Sequence, residues 1–298
     1  MTDQTARAAP SEILKKVRRI EIVSRSLVQN VFSGEYKSVF KGRGMEFDEV
    51  REYMPGDDVR SIDWNVSART NHLYVKRFVE ERELTVVLVV DASGSSEFGT
   101  RRLLKSDVQA EIGALIAFSA SKNNDKVGLL LFTDRVERFI PPKKGTRHTL
   151  RIVRDLLYHQ PEGRGTRIGP ALEHLNRVLH RRAIVFLLSD FQDSGFEKAL
   201  RVTARRHDLA AIWLSDRRER EMPKRGLFRV EDPETGEEVT LALTPRRAEA
   251  YRRAAESRRQ EIEKLFRTTG VDLVPISTEA SYVEPLVAFF KKRERMFR

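Results

Sequence analysis

The 298-residue sequence contains no cysteine. That excludes a disulfide framework and any thiolate metal site, and it fits a reducing compartment. Long apolar runs are missing too. The longest, "TVVLVV" and "AIVFLL", fall far short of the roughly 20 residues that cross a bilayer, so no transmembrane segment is expected. The opening "MTDQTARAAP" has no apolar stretch of the kind a signal peptide carries. These absences together read as a soluble cytoplasmic protein. The six histidines show neither His-x-His nor His-x-x-x-His spacing, so none stands out as a metal ligand. "FKGRGMEF" lacks the Lys-Ser/Thr ending of a phosphate loop. No nucleotide site is visible, and any ATP chemistry is expected to belong to a partner.

Charge, by contrast, is plentiful. Lys and Arg number 55 against 44 Asp and Glu, for a formal net charge of +11. Such an excess suits a nucleic-acid or anionic membrane surface, or simply a well-charged exterior. The basic residues are scattered from Lys15 to Arg298, usually beside acids as in "KKRERMFR", with no aromatic-interleaved basic motif. The charged-exterior reading is preferred. Nucleic-acid binding stays an alternative resting on charge alone, with sequence-blind, salt-dependent affinity as its signature.

Hydrophobic periodicity divides the chain. Residues 11–33 place Ile13, Val17, Ile20, Leu27 and Val31 at helical spacing, with Ser11 to cap the start and Gly34 after the end. Residues 34–82 are rich in Gly, charge and aromatics, with strand-like "MEFDEVREY" and "LYVKRFVEE" around "MPGDDVRSIDWNVSART". From Leu84 the rhythm is regular. Apolar strand runs at 84–90, 126–132, 183–189, 209–215 and 271–276 alternate with helical segments at 101–123, 147–159, 168–181, 195–207, 245–268 and 279–294. "VERFIPP" reads as an edge strand ended by its prolines. Continuous apolar strands alternating with helices predict an α/β fold: a doubly wound, mostly parallel sheet with helices on both faces, Rossmann-like in its layering. "LFRVEDPETGEEVTLAL" alternates on both sides of a "DPETG" turn and predicts a β-hairpin insertion near 227–243. The expected organisation is an N-terminal helix with a small α+β module over 1–82 and the main domain over 83–298.

In an open α/β sheet, ligands bind outside the carboxyl ends of the strands where the strand order reverses. Those ends carry Asp91-Ala92-Ser93-Gly94-Ser95 and Ser189-Asp190-Phe191, and the loop before helix 168–181 carries Thr166. In an extended loop alternate side chains point the same way, so Asp91, Ser93 and Ser95 can converge on one cation. Two carboxylates, Asp91 and Asp190, and three hydroxyls, Ser93, Ser95 and Thr166, are hard oxygen ligands that suit Mg²⁺, Mn²⁺ or Ca²⁺. Asp91 is expected at a solvent-facing strand end. With only two acids, such an ion keeps an open position attractive to an outside carboxylate.

These five residues, in this order, resemble the metal-ion-dependent adhesion site (MIDAS) of von Willebrand factor A (VWA) domains, a likeness that covers residues 84 to about 290. It implies that the first strand lies beside the fourth, bringing Asp91 and Asp190 together. The family's usual small residue after the second Asp is Phe191 here, and Asp193 follows as a competing ligand. A second, more extensive resemblance lies in "YKSVFKGRGMEFDEVREYMPGDDVRSIDWNVSARTNHLYVKRFVEEREL". It is similar to the hallmark stretch of the bacterial family domain of unknown function 58 (DUF58), whose members carry a VWA-like domain and are typically encoded beside MoxR-type AAA+ ATPases.

The expected function is therefore non-catalytic: a metal-dependent interaction module acting as adaptor or co-chaperone with a MoxR-type AAA+ ATPase and an acidic client segment. The alternative is a Mg²⁺-dependent, phosphatase-like hydrolase using Asp91 as nucleophile. That chemistry calls for a second aspartate two residues on, where this chain has Ser93. In "PGDDVRSIDW", Asp57, Asp58 and Asp63 read as turn and cap residues, with Asp57 or Asp58 capping a short helix through Trp64, ion pairs to Arg60 and Arg69, and Trp64 packing the small module onto the main domain.

Overall fold

Two strand-like segments of the N-terminal region pair with each other rather than with the main sheet. In the computed structural model, which describes residues 18, 20–22, 46–70, 72–79, 83–99 and 104–297, β1 (Glu46–Glu52) runs antiparallel to β2 (Tyr74–Val79). Between them lie a single 3₁₀ turn (Val59–Ser61) and the short helix α1 (Trp64–Thr70). Asp58 caps the 3₁₀ turn by accepting from the Arg60 N–H at 2.9 Å. Asp63 accepts from the N–H groups of Asn65 and Val66, so α1 begins at Trp64 instead of ending there. Asp57 pairs with Arg51, not Arg60. Trp64 is 63% exposed and does not pack the module onto the main domain; Ile62 and Val75 are the buried apolar side chains of this segment among the described residues. The helix expected over 11–33 lies largely outside the described residues. Arg18 and residues 20–22 are helical, and Ile20 joins the main core.

The main domain is built in chain order from β3 (Thr85–Asp91), α2 (Lys105–Lys122), β4 (Lys126–Phe132), β5 (Val136–Lys143), α3 (Thr146–Tyr158), α4 (Ile168–Val178), β6 (Ile184–Ser189), α5 (Glu197–Arg206), β7 (Asp208–Ser215), β8 (Gly226–Glu231), β9 (Glu238–Leu243), α6 (Pro245–Thr269), β10 (Asp272–Ser277) and α7 (Val283–Phe297). Six strands form one sheet in the order β10-β7-β6-β3-β4-β5, parallel except for β5. Strand β5 runs through Pro141 and Pro142 to Lys143 rather than stopping at the prolines. It is the outermost strand, and its pairing with β4 is irregular there, so the missing N–H groups are tolerated.

Alternation along each strand sends side chains to two cores. Val86, Leu88 and Val90 of β3 meet Ile112 and Leu115 of α2, Ile152 of α3 and Phe289 of α7. Val87 and Val89 face the opposite core, with Leu172 of α4, Leu200 of α5 and Phe266 of α6. Both faces are thus covered, which is why these strands read as unbroken apolar runs. The long helix α6 starts at the Thr244 cap with Pro245 behind it and stops at Gly270, whose φ of 70° is a left-handed conformation that closes the helix.

The chain leaves β3 for β4 and β5 on one side and returns to β6 on the other. The order therefore reverses between β3 and β6, and the carboxyl ends of those two strands flank the crevice in which an α/β sheet binds its ligands.

Candidate functional site

Asp91 ends β3 and Asp190 follows β6, so the parallel pairing of these strands places the two carboxylates side by side. Asp91 is only 1% exposed, a correction to its expected solvent-facing place. One of its oxygens accepts from the Ser93 N–H at 3.0 Å and the other from the Ser189 hydroxyl at 2.6 Å. Ser93 Oγ lies 3.0 Å from Ser95 Oγ, so alternate positions of the loop do turn the same way. The Ser96 hydroxyl donates to the Asp91 carbonyl and fixes the 3₁₀ turn Gly94–Glu97 that follows. Ser93, Ser95 and Asp190 line a cavity of about 2070 Å³ that opens over this edge of the sheet.

Thr166 reaches the same edge from the loop before α4. That loop is tied to the serine loop by the Gly94 N–H, which donates to the Arg164 carbonyl at 2.8 Å. The Thr166 hydroxyl donates to Glu234 of the β8–β9 hairpin at 2.7 Å. Phe191 adopts a left-handed φ of 56° and is fully buried between Phe196 and Phe266. Its turn is held by the Phe191 N–H donating to Ser189 Oγ. Asp193, expected as a competing ligand, is occupied elsewhere: it accepts from the Ile168 N–H at 2.7 Å and serves the start of α4.

Sequence reasoning missed Lys105. Its ammonium is 1% exposed and donates to Asp190 at 2.6 Å and to Glu219, which follows β7. Burial is the largest single influence and pulls this ammonium down, but the charges and hydrogen bonds of Asp190 and Glu219 together hold it above its ordinary range. Glu219 is pushed up, chiefly by burial, against the pull of Lys105. Glu234 is also pushed up, by burial first and then by the charges of Asp190, Asp232 and Asp193. Ser189 and Glu234 lie in a strand end and a turn that the sequence does signal, but nothing in either marks a site residue. Lys105 and Glu219 occur in stretches with no recognisable spacing, since a lysine opening a helix carries no signal of a partner 85 residues away.

The Asp91 carboxyl is pushed up to about 7, first by burial and then by the neighbouring Asp190 charge, against the hydrogen bonds of Ser189 and Ser93. Lys105 answers Asp190 and Glu219, while Asp91 has only hydroxyl and backbone partners. A buried carboxylate held next to a second one, surrounded by hydroxyl oxygens and short of positive charge, fits a hard divalent cation. Among the described residues no group of three or more His, Cys, Asp or Glu side chains is arranged to hold a metal. The donor set here relies instead on hydroxyls to supplement two carboxylates.

The family described as "Protein of unknown function DUF58" matches residues 49–261. Uncharacterized protein Rv1480 of Mycobacterium tuberculosis is 30% identical over 282 residues, covering 94% of this chain and 89% of that one. Uncharacterized protein YeaD of Bacillus subtilis is 29% identical over 107 residues, covering 36% of this chain and 25% of its own length. Among solved structures, the conserved hypothetical protein BatB from Bacteroides thetaiotaomicron aligns with a TM-score of 0.46 at 14% identity, over 71% of this chain and 99% of that one. Proximal thread matrix protein 1 from the mussel byssus, with a zinc-occupied MIDAS motif, aligns with a TM-score of 0.37 at 15% identity, over 45% of this chain and 39% of that one. Among the described residues, no helix is long and apolar enough to cross a membrane.

Proposed function

The chain belongs to the DUF58 family of proteins of unknown function, and from that premise we propose that it is a non-catalytic, divalent-cation-dependent protein-interaction module. Asp91, Ser93, Ser95, Thr166 and Asp190 would hold Mg²⁺, or Mn²⁺ or Ca²⁺ in its place. The cation would supply a Lewis-acidic point for an outside carboxylate. The chain's own residues do the rest: the strand ends fix the two acids, the serine loop aligns its hydroxyls, and Lys105 orients Asp190. The observation that carries this reading is the buried Asp91 carboxylate beside Asp190, with hydroxyl partners and no cation of its own. The proposed partner is a MoxR-type AAA+ ATPase together with an acidic client segment. Against Asp91 as a hydrolytic nucleophile stands Ser93, which occupies the place where that chemistry calls for a second aspartate.

Calorimetric titration of Mg²⁺ or Mn²⁺ into the wild type and Asp91→Ala tests the site. The expected result is binding in the wild type and loss of it in the variant, with a cooperative melting transition kept. Equal affinity in both would remove Asp91 from the site. Titration of a MoxR-type ATPase with Mg²⁺, with EDTA and onto Thr166→Ala tests the partner. Equally tight association in all three would place docking elsewhere on the surface.

A further inference from the structure

The β8–β9 hairpin does not stand clear of the domain. Its turn, Asp232 to Glu237, lies on the carboxyl edge of the sheet, over the loops that carry Ser93, Ser95 and Thr166. Two contacts from different residues place it there. Glu234 accepts from the Thr166 hydroxyl at 2.7 Å. The backbone of Pro233 passes so close to Gly94 that a Cβ on Gly94 would lie 2.2 Å from the Pro233 carbonyl oxygen. Only glycine lets the two backbones approach in this way.

The turn is preformed. Asp232 accepts from the N–H groups of Glu234 and Thr235 through its side chain, and its carbonyl accepts from the Gly236 N–H at 2.7 Å. Gly236 takes a left-handed φ of 75°. The strands on either side pair in unbroken register from Gly226↔Leu243 to Glu231↔Glu238. Glu234 is therefore held by backbone geometry and is half-buried. A carboxylate on a surface hairpin would ordinarily remain in water. This one is brought within the field of Asp190 and onto a hydroxyl of the proposed cation site; Lys105 answers Asp190, and a cation beside Thr166 would answer Glu234 in the same way.

We propose that Glu234 is a carboxylate this chain presents to its own cation site, and that the hairpin is a built-in occupant of the position an acidic partner takes. The inference rests on the metal-dependent reading above and deepens it. The partner's acidic side chain does not meet an open ion; it exchanges with Glu234, and the hairpin lifts from Gly94 and Thr166 as it binds. The partner's chemistry is thereby narrowed to a carboxylate on a segment that can enter between β8–β9 and the serine loop. A bulky neutral surface would have nothing to offer in exchange for Glu234.

The test uses the full chain, with hydrogen exchange at the hairpin amides and Mg²⁺ calorimetry on the same samples. In the wild type, saturating Mg²⁺ is expected to slow exchange at Glu234, Thr235 and Gly236 by at least about tenfold, because a cation stabilises the docked turn. Excess sodium acetate should restore fast exchange, where sodium chloride at equal ionic strength should not. Glu234→Gln is expected to lower Mg²⁺ affinity by about tenfold through loss of one charged ligand. At saturating Mg²⁺, its hairpin exchange should no longer respond to the ion. If Mg²⁺ binds in an Asp91-dependent way but hairpin exchange is unmoved and Glu234→Gln behaves as wild type, the hairpin proposal is overturned while the cation site stands. If Mg²⁺ does not bind at all, the cation site fails and the hairpin proposal with it.

Discussion

Lys105 places an ammonium at 1% exposure between Asp190 and Glu219. Truncating one member of such a buried set leaves uncompensated charge, which costs about 3–5 kcal/mol. Lys105→Met is therefore expected to destabilise the fold by that amount in the absence of divalent ions, and Asp190→Asn in the same background should recover part of the loss. Chemical denaturation of the wild type, both single variants and the double variant measures the coupling; purely additive losses would mean that the pair does not act as a unit. His207 offers a residue-scale prediction about pH. It is buried at the end of α5, its Nδ1 accepts from the Ala183 N–H at 3.3 Å, and its Nε2 has no hydrogen-bond partner among the described residues. Burial first, then the charges of Arg206 and Arg182, hold its pKa below the ordinary 6.5. The unfolded chain thus takes up a proton that the folded chain refuses, so stability present above about 6.5 falls as pH drops through the folded value. His207→Asn, which keeps an acceptor near Nδ1, should flatten the acid side of a melting-temperature profile; an unchanged profile would assign the acid sensitivity to other groups.

At the scale of elements, the contact between the serine loop and the hairpin depends on one missing side chain. Gly94→Ala puts a methyl group 2.2 Å from the Pro233 carbonyl oxygen, a separation at which something must move. The hairpin meets the site through its turn, whereas the serine loop continues β3 in the middle of the sheet, so the hairpin is expected to be the one that yields. Hydrogen exchange of Gly94→Ala should therefore accelerate over 226–243 and remain slow in β3 and β6. Acceleration in β3 as well would indicate that the serine loop, rather than the hairpin, had yielded. The helix ends were legible at this scale because caps are local chemistry: Thr244-Pro245 opens α6 and Gly270 closes it. The start of α1 was misplaced because three aspartates within seven residues are equally good caps on paper. Asp58 took the 3₁₀ turn, Asp63 took the helix and Asp57 took Arg51.

Across the whole molecule, the excess of positive charge, +11 over 298 residues, bears on how fast an acidic partner arrives more than on how tightly it is held. Association with an acidic client is expected to slow as salt rises, with dissociation little changed, because exposed charges are screened beyond about 8 Å at physiological ionic strength. Stopped-flow association at several salt concentrations checks this; a salt effect confined to dissociation contradicts it. The segment 34–82 is proposed to depend on the main domain for its fold. It is short, rich in Gly and charge, and leads into β3 of the main sheet within a few residues of β2, which leaves it little apolar surface for a core of its own. Dispersed amide resonances from the isolated segment would show otherwise.

The sequence by itself determined the layering. Unbroken apolar runs from Val86 to Val90 and from Ile184 to Leu188 can be satisfied only where helices cover both faces of a sheet, and the helical segments between them supply those faces. It also determined which strand ends carry acids and hydroxyls, since Asp91 and Asp190 lie immediately at the ends of those runs. Burial of Asp91, the pairing of Lys105 with Asp190 and the arrival of Glu234 at Thr166 were decided by tertiary structure alone. The two pairings join residues 85 and 68 positions apart, and the burial depends on what packs above a strand end. Periodicity and capping are set within a few residues of chain, whereas the electrostatics of a site depend on which distant side chains the completed fold brings into the same low-dielectric space.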